Sequence, residues 1–274
     1  MFKYLYLIIF TTLLSLDCLG QRDATKVWGT VLIDKNISMN STEVSIIDWI
    51  GFIVNNDFDS TLFPNYQNLS SNTKLIFEDL KQSTNFKYIK IVDNWGTYKK
   101  YFGLKGIRFT KKFKELIKND TNNYSISIPI TGITYEQALL YCNWKEKLIN
   151  SSSSIKIRVS LPSIEIYERV LENRDSINPQ KCYTQNSLNC NCLSTKNNKD
   201  FKSQGKSLVR VDGYWPSKLG LYNLQGNASE MTSIKGVAMG GSYINYARDS
   251  FKDKRQYYSK SEYWLGFRFI VRMP

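Results

Sequence analysis

Glycine is concentrated at the C-terminal end of this chain, and this limits the folds open to it more than any other feature. Seven of its 15 glycines lie between residues 213 and 274: Gly213, Gly220, Gly226, Gly236, Gly240, Gly241 and Gly266. Glycine adopts backbone conformations closed to other residues and lets backbone segments approach each other closely. We therefore predict short strands joined by tight turns in this region.

Upstream of this region the pattern changes to capped helices. Ser45 and Asp48 have the spacing of a capping box, and so do Thr134 and Gln137. Apolar residues at helical spacing follow each cap: Ile46, Ile47, Ile50, Ile53 and Val54 after the first, and Tyr135, Ala138, Leu139, Cys142 and Ile149 after the second. The spacing predicts a helix at each position.

Other segments carry shorter signals. Val27, Val31 and Ile33 alternate as in a strand, and residues 158–161 predict a second strand before a helix capped by Ser163. Residues 56–125 are polar and rich in asparagine, with helical fragments at 75–80 and 111–117. We interpret this stretch as a family-specific insertion packed on the core.

The first twenty residues have the pattern of a signal peptide. Lys3 precedes an apolar stretch over residues 4–16, and small residues at Cys18 and Gly20 suit cleavage before Gln21. The apolar stretch is shorter than the roughly 20 residues that a membrane span needs. We therefore predict export and no transmembrane helix.

Cleavage would leave residues 21–274 as a single domain in the periplasm or at the outer membrane. A lipid anchor at Cys18 is the less favoured alternative, because Asp17 stands where lipoprotein signals place a small residue. The net charge of +13 comes from lysines spread along the chain, which are usually solvated. Together with export, this argues against a nucleic-acid partner.

Composition excludes several enzyme classes. The chain contains no histidine. Serine and cysteine triads based on histidine, HExxH zinc proteases and facial-triad iron enzymes are therefore excluded, because each needs an imidazole. The chain is 42% hydrophobic, which is enough to bury a core.

Four cysteines would remain after cleavage: Cys142, Cys182, Cys190 and Cys192. Because exported chains meet an oxidising compartment, we predict a local disulfide from Cys182 to either Cys190 or Cys192. Metal binding by this cluster is disfavoured because the ligand set is incomplete.

Five blocks of sequence together resemble the formylglycine-generating enzyme, or sulfatase-modifying factor, superfamily. They are residues 130–144 (ITGITYEQA followed by YCNW), 161–168 (beginning LPS and ending YE), 220–230 (GLYNLQGNASE), 240–243 (GGSY) and 266–268 (GFR). The similarity extends over about residues 40–274, with 56–125 unmatched. The blocks also resemble those of the gliding-motility and type IX secretion lipoproteins of Bacteroidota. The resemblance implies a single α+β domain, similar to C-type lectins, with short strands, a few helices and much irregular backbone.

The resemblance also implies a structural calcium site. The matching positions for the family's second site are Asn223, Gly226, Ala228 and Glu230. Calcium prefers carboxylate, amide and main-chain oxygens, which these residues offer. The alternative is that Glu230 simply accepts hydrogen bonds from loop amides. The family's first site cannot be placed on the sequence, and Asn191 and Asp200 are no more than loose candidates for it.

The active enzymes of the family bind Cu(I) through two cysteines, and here the matching positions hold Asn245 and Ser250. Cu(I) selects thiolates, so we expect no copper. Cys142 matches a structural cysteine whose usual partner is replaced by Phe269, so we expect Cys142 to be a reduced core residue. Transfer of the chemistry to Cys190 and Cys192 is disfavoured.

Two functional hypotheses follow. The favoured one is a non-catalytic scaffold or binding protein, in a secretion or gliding assembly of the cell envelope, whose vestigial cleft holds peptide or glycan. Its cleft would include Ser242, Asn245, Arg248 and Asp249. Aromatic residues of the same region could stack on a ligand or pack in the core: Tyr243, Tyr246, Tyr257, Tyr258 and Trp264. The alternative is a formylglycine-generating oxidase with a displaced active site.

Overall fold

The computed structural model describes residues 29–56, 59–82, 126–152, 155–172, 190–193, 207–246, 249 and 253–274. The predicted signal peptide, the strand residue Val27 and the helical fragment at 111–117 lie outside the described residues.

Short strands and a few helices make up the described part of the chain. The helices are α1 (Ile46–Asn55), α2 (Ser71–Gln82), α3 (Tyr135–Ser152) and α4 (Ile164–Glu172), with 3-10 turns at Ser60–Leu62 and Tyr66–Asn68. The strands are β1 (Thr30–Asp34), β2 (Ile37–Asn40), β3 (Arg158–Ser160), β4 (Ser229–Met231), β5 (Val237–Met239), β6 (Gln256–Tyr257), β7 (Leu265–Gly266) and β8 (Ile270–Arg272). This mixture confirms the predicted α+β class.

The described residues form two four-stranded sheets, and both sheets include strands from the C-terminal end of the chain. The first has the order β1-β2-β8-β3, with every neighbouring pair antiparallel. The second has the order β6-β5-β4-β7, in which β4 and β7 are parallel. Because β7 and β8 are separated by only a few residues, the last ten residues of the chain tie the two sheets together.

Both predicted capping boxes are confirmed. At α1, the Ser45 amide donates to the Asp48 carboxylate at 2.9 Å, and the Asp48 amide donates to Ser45 Oγ at 3.4 Å. At α3, the Thr134 amide donates to Gln137 Oε1 at 2.8 Å and the Gln137 amide donates to Thr134 Oγ1 at 3.2 Å. These bonds satisfy main-chain donors that the first turn of a helix leaves free.

The main hydrophobic core is built from side chains of α1, α2 and α3 and of both sheets. At its centre Trp49 stacks on Tyr141 with 5.7 Å between ring centroids, and Phe267 meets Tyr141 edge-on at 5.4 Å. The prediction that Leu139 belongs to the buried stripe of α3 is wrong, because Leu139 is 36% exposed. The inward positions are Ala138, Tyr141, Cys142 and Lys145, and Leu139 lies about 100° around the helix from Ala138.

The described part of the predicted insertion is built into this core. Residues 59–82 contribute buried apolar side chains to it: Leu62, Leu69, Ile76, Phe77 and Leu80. A second, smaller core surrounds Tyr167 of α4 and includes Met39, Leu221 and Met239. No helix within the described ranges has the length and apolar character needed to cross a membrane.

Candidate functional site

The candidate site is centred on the glycine-rich turn at residues 240–243. Gly240 and Gly241 have φ of 86° and 68°, in the left-handed region that favours glycine. A Cβ at Gly240 would lie 2.9 Å from Tyr167 Oη, so only glycine fits there. Ser242, directly after this pair, is completely buried.

Asn245 closes the turn. Its Oδ1 accepts hydrogen bonds from the Ser242 amide at 2.9 Å and from Ser242 Oγ at 2.7 Å, and the Asn245 amide donates to the Ser242 carbonyl at 3.0 Å. The structure therefore brings together two of the predicted site residues, Ser242 and Asn245. Asp249 lies close by, since its amide donates to the Tyr246 carbonyl at 2.8 Å. Arg248 and Ser250 lie outside the described residues.

The segment that carries Cys190 and Cys192 runs beside this turn. The Leu193 amide donates to the Asn245 carbonyl at 2.8 Å, and the Asn227 amide donates to the Asn191 carbonyl at 2.9 Å. These contacts join residues more than 30 positions apart in the sequence, so nothing in the sequence indicated them.

The pairing of the cysteines corrects the sequence prediction. Cys190 is bonded to Cys192, with 5.6 Å between their Cα atoms, and not to Cys182. The reason is local, because residues two apart on extended backbone project to the same side. Cys182 lies outside the described residues. Cys142 is a free, buried thiol as predicted, and burial raises its pKa to about 12.

The four residues predicted to hold calcium lie in one buried stretch, with Glu230 in β4 and the others in the turn before it. Asn223, Gly226 and Asn227 all have positive φ in this turn. A Cβ at Gly226 would lie 2.4 Å from the Asn191 carbonyl oxygen. The sequence therefore needs glycine at this point for the two segments to pack.

Glu230 is paired with a cation inside the protein. Its two carboxylate oxygens each accept from the Arg268 guanidinium at 2.6 Å, and both side chains are completely buried. Arg268 also donates to the carbonyl of Tyr222 at 2.9 Å. The partner of Glu230 is therefore a guanidinium. The alternative interpretation of the sequence, in which Glu230 accepts hydrogen bonds from loop amides, did not predict this partner.

Glu43 is a second buried carboxylate, and sequence reasoning missed it. It accepts from Asn227 Nδ2 at 2.8 Å and from Asn223 Nδ2 at 3.2 Å. Burial raises its pKa to about 8, with Arg268 opposing this rise and Glu230 adding to it. The available signal was a lone carboxylate directly before a strongly apolar helix.

The amide, carboxylate and main-chain oxygens of this buried stretch are of the kind that calcium prefers. Asn223 Oδ1 and Asn191 Oδ1 are buried and have no hydrogen-bond partner, and buried oxygens normally have one. No group of three or more Cys, Asp or Glu side chains in the described ranges is placed to hold a metal ion. A calcium ion would therefore depend on amide and main-chain oxygens beside Glu230. Asp200 lies outside the described residues, and calcium binding stays a prediction.

A cavity of about 460 Å³ opens beside the turn, and Tyr243 lies in its wall with Tyr263. Of the other candidate aromatic residues, Tyr258 and Trp264 pack against the main core. Tyr257 is 73% exposed.

The sequence matches the family described as the sulfatase-modifying factor enzyme 1-like domain over residues 35–273, which confirms the resemblance. No curated protein matches the chain. Three similar solved structures are Treponema denticola variable protein 1 (14% identity, 86% of this chain and 84% of that chain, TM-score 0.48), CarF (16%, 91% and 95%, 0.43) and PvdO from Pseudomonas aeruginosa (11%, 86% and 80%, 0.46).

Proposed function

The chain belongs to the sulfatase-modifying factor enzyme 1-like family, and from this premise we propose that it is a non-catalytic member that acts as an exported binding or scaffold protein. The observation that carries the proposal is the hydrogen bonding of the Asn245 side chain. Its side-chain oxygen, at the position where the resemblance implies a copper thiolate, accepts two hydrogen bonds from Ser242. An amide oxygen is a hard donor, whereas Cu(I) selects soft thiolates.

The state of the described thiols also supports the proposal. Cys142 is buried, and its raised pKa of about 12 keeps it protonated at neutral pH. Cys190 and Cys192 are joined to each other. Neither arrangement supplies a thiolate to the turn at Ser242.

We also propose that a structural calcium ion binds at Asn223, Gly226, Ala228 and Glu230, mainly through amide and main-chain oxygens, because Arg268 occupies both carboxylate oxygens of Glu230. The unpartnered Asn223 Oδ1 supports this, because it is an oxygen donor in a buried turn. When bound, calcium would supply positive charge that offsets the buried carboxylates. The residues themselves fix the turn, through its positive φ angles and the Arg268–Glu230 pair.

The partners we propose are cell-envelope proteins, peptides or glycans, met after removal of residues 1–20. A pull-down from an outer-membrane fraction should recover the protein with partners of a secretion or gliding assembly. Recovery only as a free monomer would argue against a scaffold. The mass of the mature protein would test cleavage before Gln21.

The decisive experiment is an aldehyde assay. Purified mature protein is incubated with a cysteine-containing peptide of the sulfatase type, copper, oxygen and a thiol reductant, and the product is captured with a hydrazide. We expect no aldehyde above the level found with peptide alone. Aldehyde formed at a rate proportional to protein concentration would reject the non-catalytic proposal.

The second candidate is a formylglycine-generating oxidase with displaced thiols. It is favoured by one observation, the 2.8 Å hydrogen bond from the Leu193 amide to the Asn245 carbonyl, which puts the Cys190–Cys192 segment beside the turn. In this case the wild-type protein would form aldehyde and the variant with Cys190→Ser and Cys192→Ser would not. The Cys142→Ser variant is the matched control, because Cys142 lies in the main core.

A further inference from the structure

The cavity beside the glycine-rich turn has the size of a small-molecule site. Its volume of about 460 Å³ falls in the range of roughly 300–1,000 Å³ typical of ligand pockets. It lies between the 3-10 turn at Tyr66–Asn68, the start of α1, residues 128–131 and Tyr243. The cavity therefore adjoins the turn whose catalytic positions are replaced.

The polar side chains of its wall are all amides and hydroxyls. Gln67 and Asn68 provide the amides, and the serine, threonine and tyrosine residues provide the hydroxyls: Ser70, Thr73, Thr131, Ser207, Tyr243 and Tyr263. No charged residue is among the described residues that line the cavity, although the chain has a net charge of +13. Both kinds of group donate and accept hydrogen bonds, so the cavity suits a ligand whose groups do the same.

Several of these side chains are held in place before any ligand binds. Asn68 Nδ2 donates to the Ser261 carbonyl at 2.6 Å. The hydroxyls of Ser70 and Thr73 are hydrogen-bonded at 2.8 Å. A wall fixed in this way loses less conformational entropy when it binds a ligand.

Two tyrosines supply flat apolar surface at the same place. The rings of Tyr243 and Tyr263 are 6.4 Å apart between centroids and inclined at 62°. Tyr263 is 44% exposed and Tyr243 is half-buried, so parts of both rings are open to a ligand. Tyrosine combines an apolar ring with a polar hydroxyl, which suits it to ligands that have both kinds of surface.

We propose that this cavity binds a neutral saccharide. A sugar ring has hydroxyl groups at its edges, which match the amides and hydroxyls of the wall, and C–H groups on its faces, which match the tyrosine rings. An anionic ligand would need cationic partners, and the described lining has none. The inference rests on the proposed role as a binding protein and specifies its ligand.

The test is a printed array of neutral glycans, acidic glycans and uncharged peptides, probed with the full mature chain. We expect binding to a subset of neutral glycans. For the strongest of these, calorimetry should show that Tyr243→Ala and Tyr263→Ala each weaken binding by about tenfold, the effect of losing one aromatic contact in a binding pocket. Tyr257→Ala is the matched control and should leave affinity unchanged, because Tyr257 is exposed on β6 and does not line the cavity.

Gln67→Ala provides a further test that spares the core, because the Gln67 side chain is exposed at the cavity. It should also weaken glycan binding. Binding confined to acidic glycans or to peptides would overturn the inference. So would an array without bound glycans, or neutral-glycan binding that tolerates Tyr263→Ala and Gln67→Ala. Failure here is separable from failure of the proposed function, because aldehyde formation would reject the non-catalytic proposal and the absence of glycan binding would not.

Discussion

The buried pair of Arg268 and Glu230 gives the sharpest prediction about stability. Replacing Arg268 with methionine keeps a long apolar side chain but removes the guanidinium. Glu230 then loses two hydrogen bonds of 2.6 Å, and the Tyr222 carbonyl loses one of 2.9 Å. Glu43, close by, would also lose the positive charge that opposes the rise of its pKa.

The magnitude follows from complete burial. Removing one partner of a buried ion pair costs about 3–5 kcal/mol, because the other charge stays buried without compensation. For a domain of this size that loss corresponds to a decrease in Tm of about 6–20 °C. By contrast, the pair of Arg169 and Asp34 is 49% and 42% exposed, and such surface pairs contribute about 0–1 kcal/mol.

Urea denaturation followed by tryptophan fluorescence measures both effects. We expect Arg268→Met to lower the free energy of unfolding by several kcal/mol and Arg169→Met, the matched control, to lower it by about 1 kcal/mol or less. Equal losses for the two variants would refute the reasoning that complete burial makes the Arg268–Glu230 pair cost more to break than an exposed pair.

Three further predictions concern other parts of the site. Gly226→Ala should lower the free energy of unfolding by more than about 2 kcal/mol, because its Cβ would lie 2.4 Å from the Asn191 carbonyl oxygen. The control Gly236→Ala, with its nearest contact at 3.3 Å, should lower it by about 1–2 kcal/mol from positive φ alone. Equal losses of stability in urea denaturation would count against the packing of Gly226 on Asn191. Cys142 should react with a thiol reagent only after unfolding, because it is buried with a pKa of about 12. Rapid labelling of Cys142 in the native protein, located by peptide mapping, would show that the core around it is open. Calcium should raise the Tm of the protein by stabilising the native state, and Asn223→Ala should abolish this increase. A Tm that does not respond to calcium or to a chelator would reject the calcium proposal.

The local features of the fold could be predicted from the sequence. Capping boxes are local, so Ser45 with Asp48 and Thr134 with Gln137 identified two helix starts that the structure confirms. The positive φ at Gly226 and Gly240 agrees with the predicted turns. The blocks around these positions predicted the family, which the match over residues 35–273 confirms.

Contacts between distant segments could not be predicted. The bridge between Asn191 and Gly226 places the segment of Cys190 and Cys192 beside a turn that is distant in the sequence. The hydrogen bonds of Glu43 could not be predicted either, because its partners Asn223 and Asn227 are about 180 residues away in the sequence. Leu139 was misassigned because a three-to-four residue period leaves the edge of a helix stripe undefined until the packing partner is known.

The most direct test of the account is the binding of Cu(I) to the purified protein, with its Cys190–Cys192 disulfide left intact, in competition with a chelator of known affinity. The account predicts that the chelator keeps the copper, because an amide at Asn245 replaces a thiolate and Cys142 is buried. Retention of one Cu(I) per chain, lost when Cys190 and Cys192 are both changed to serine, would contradict it.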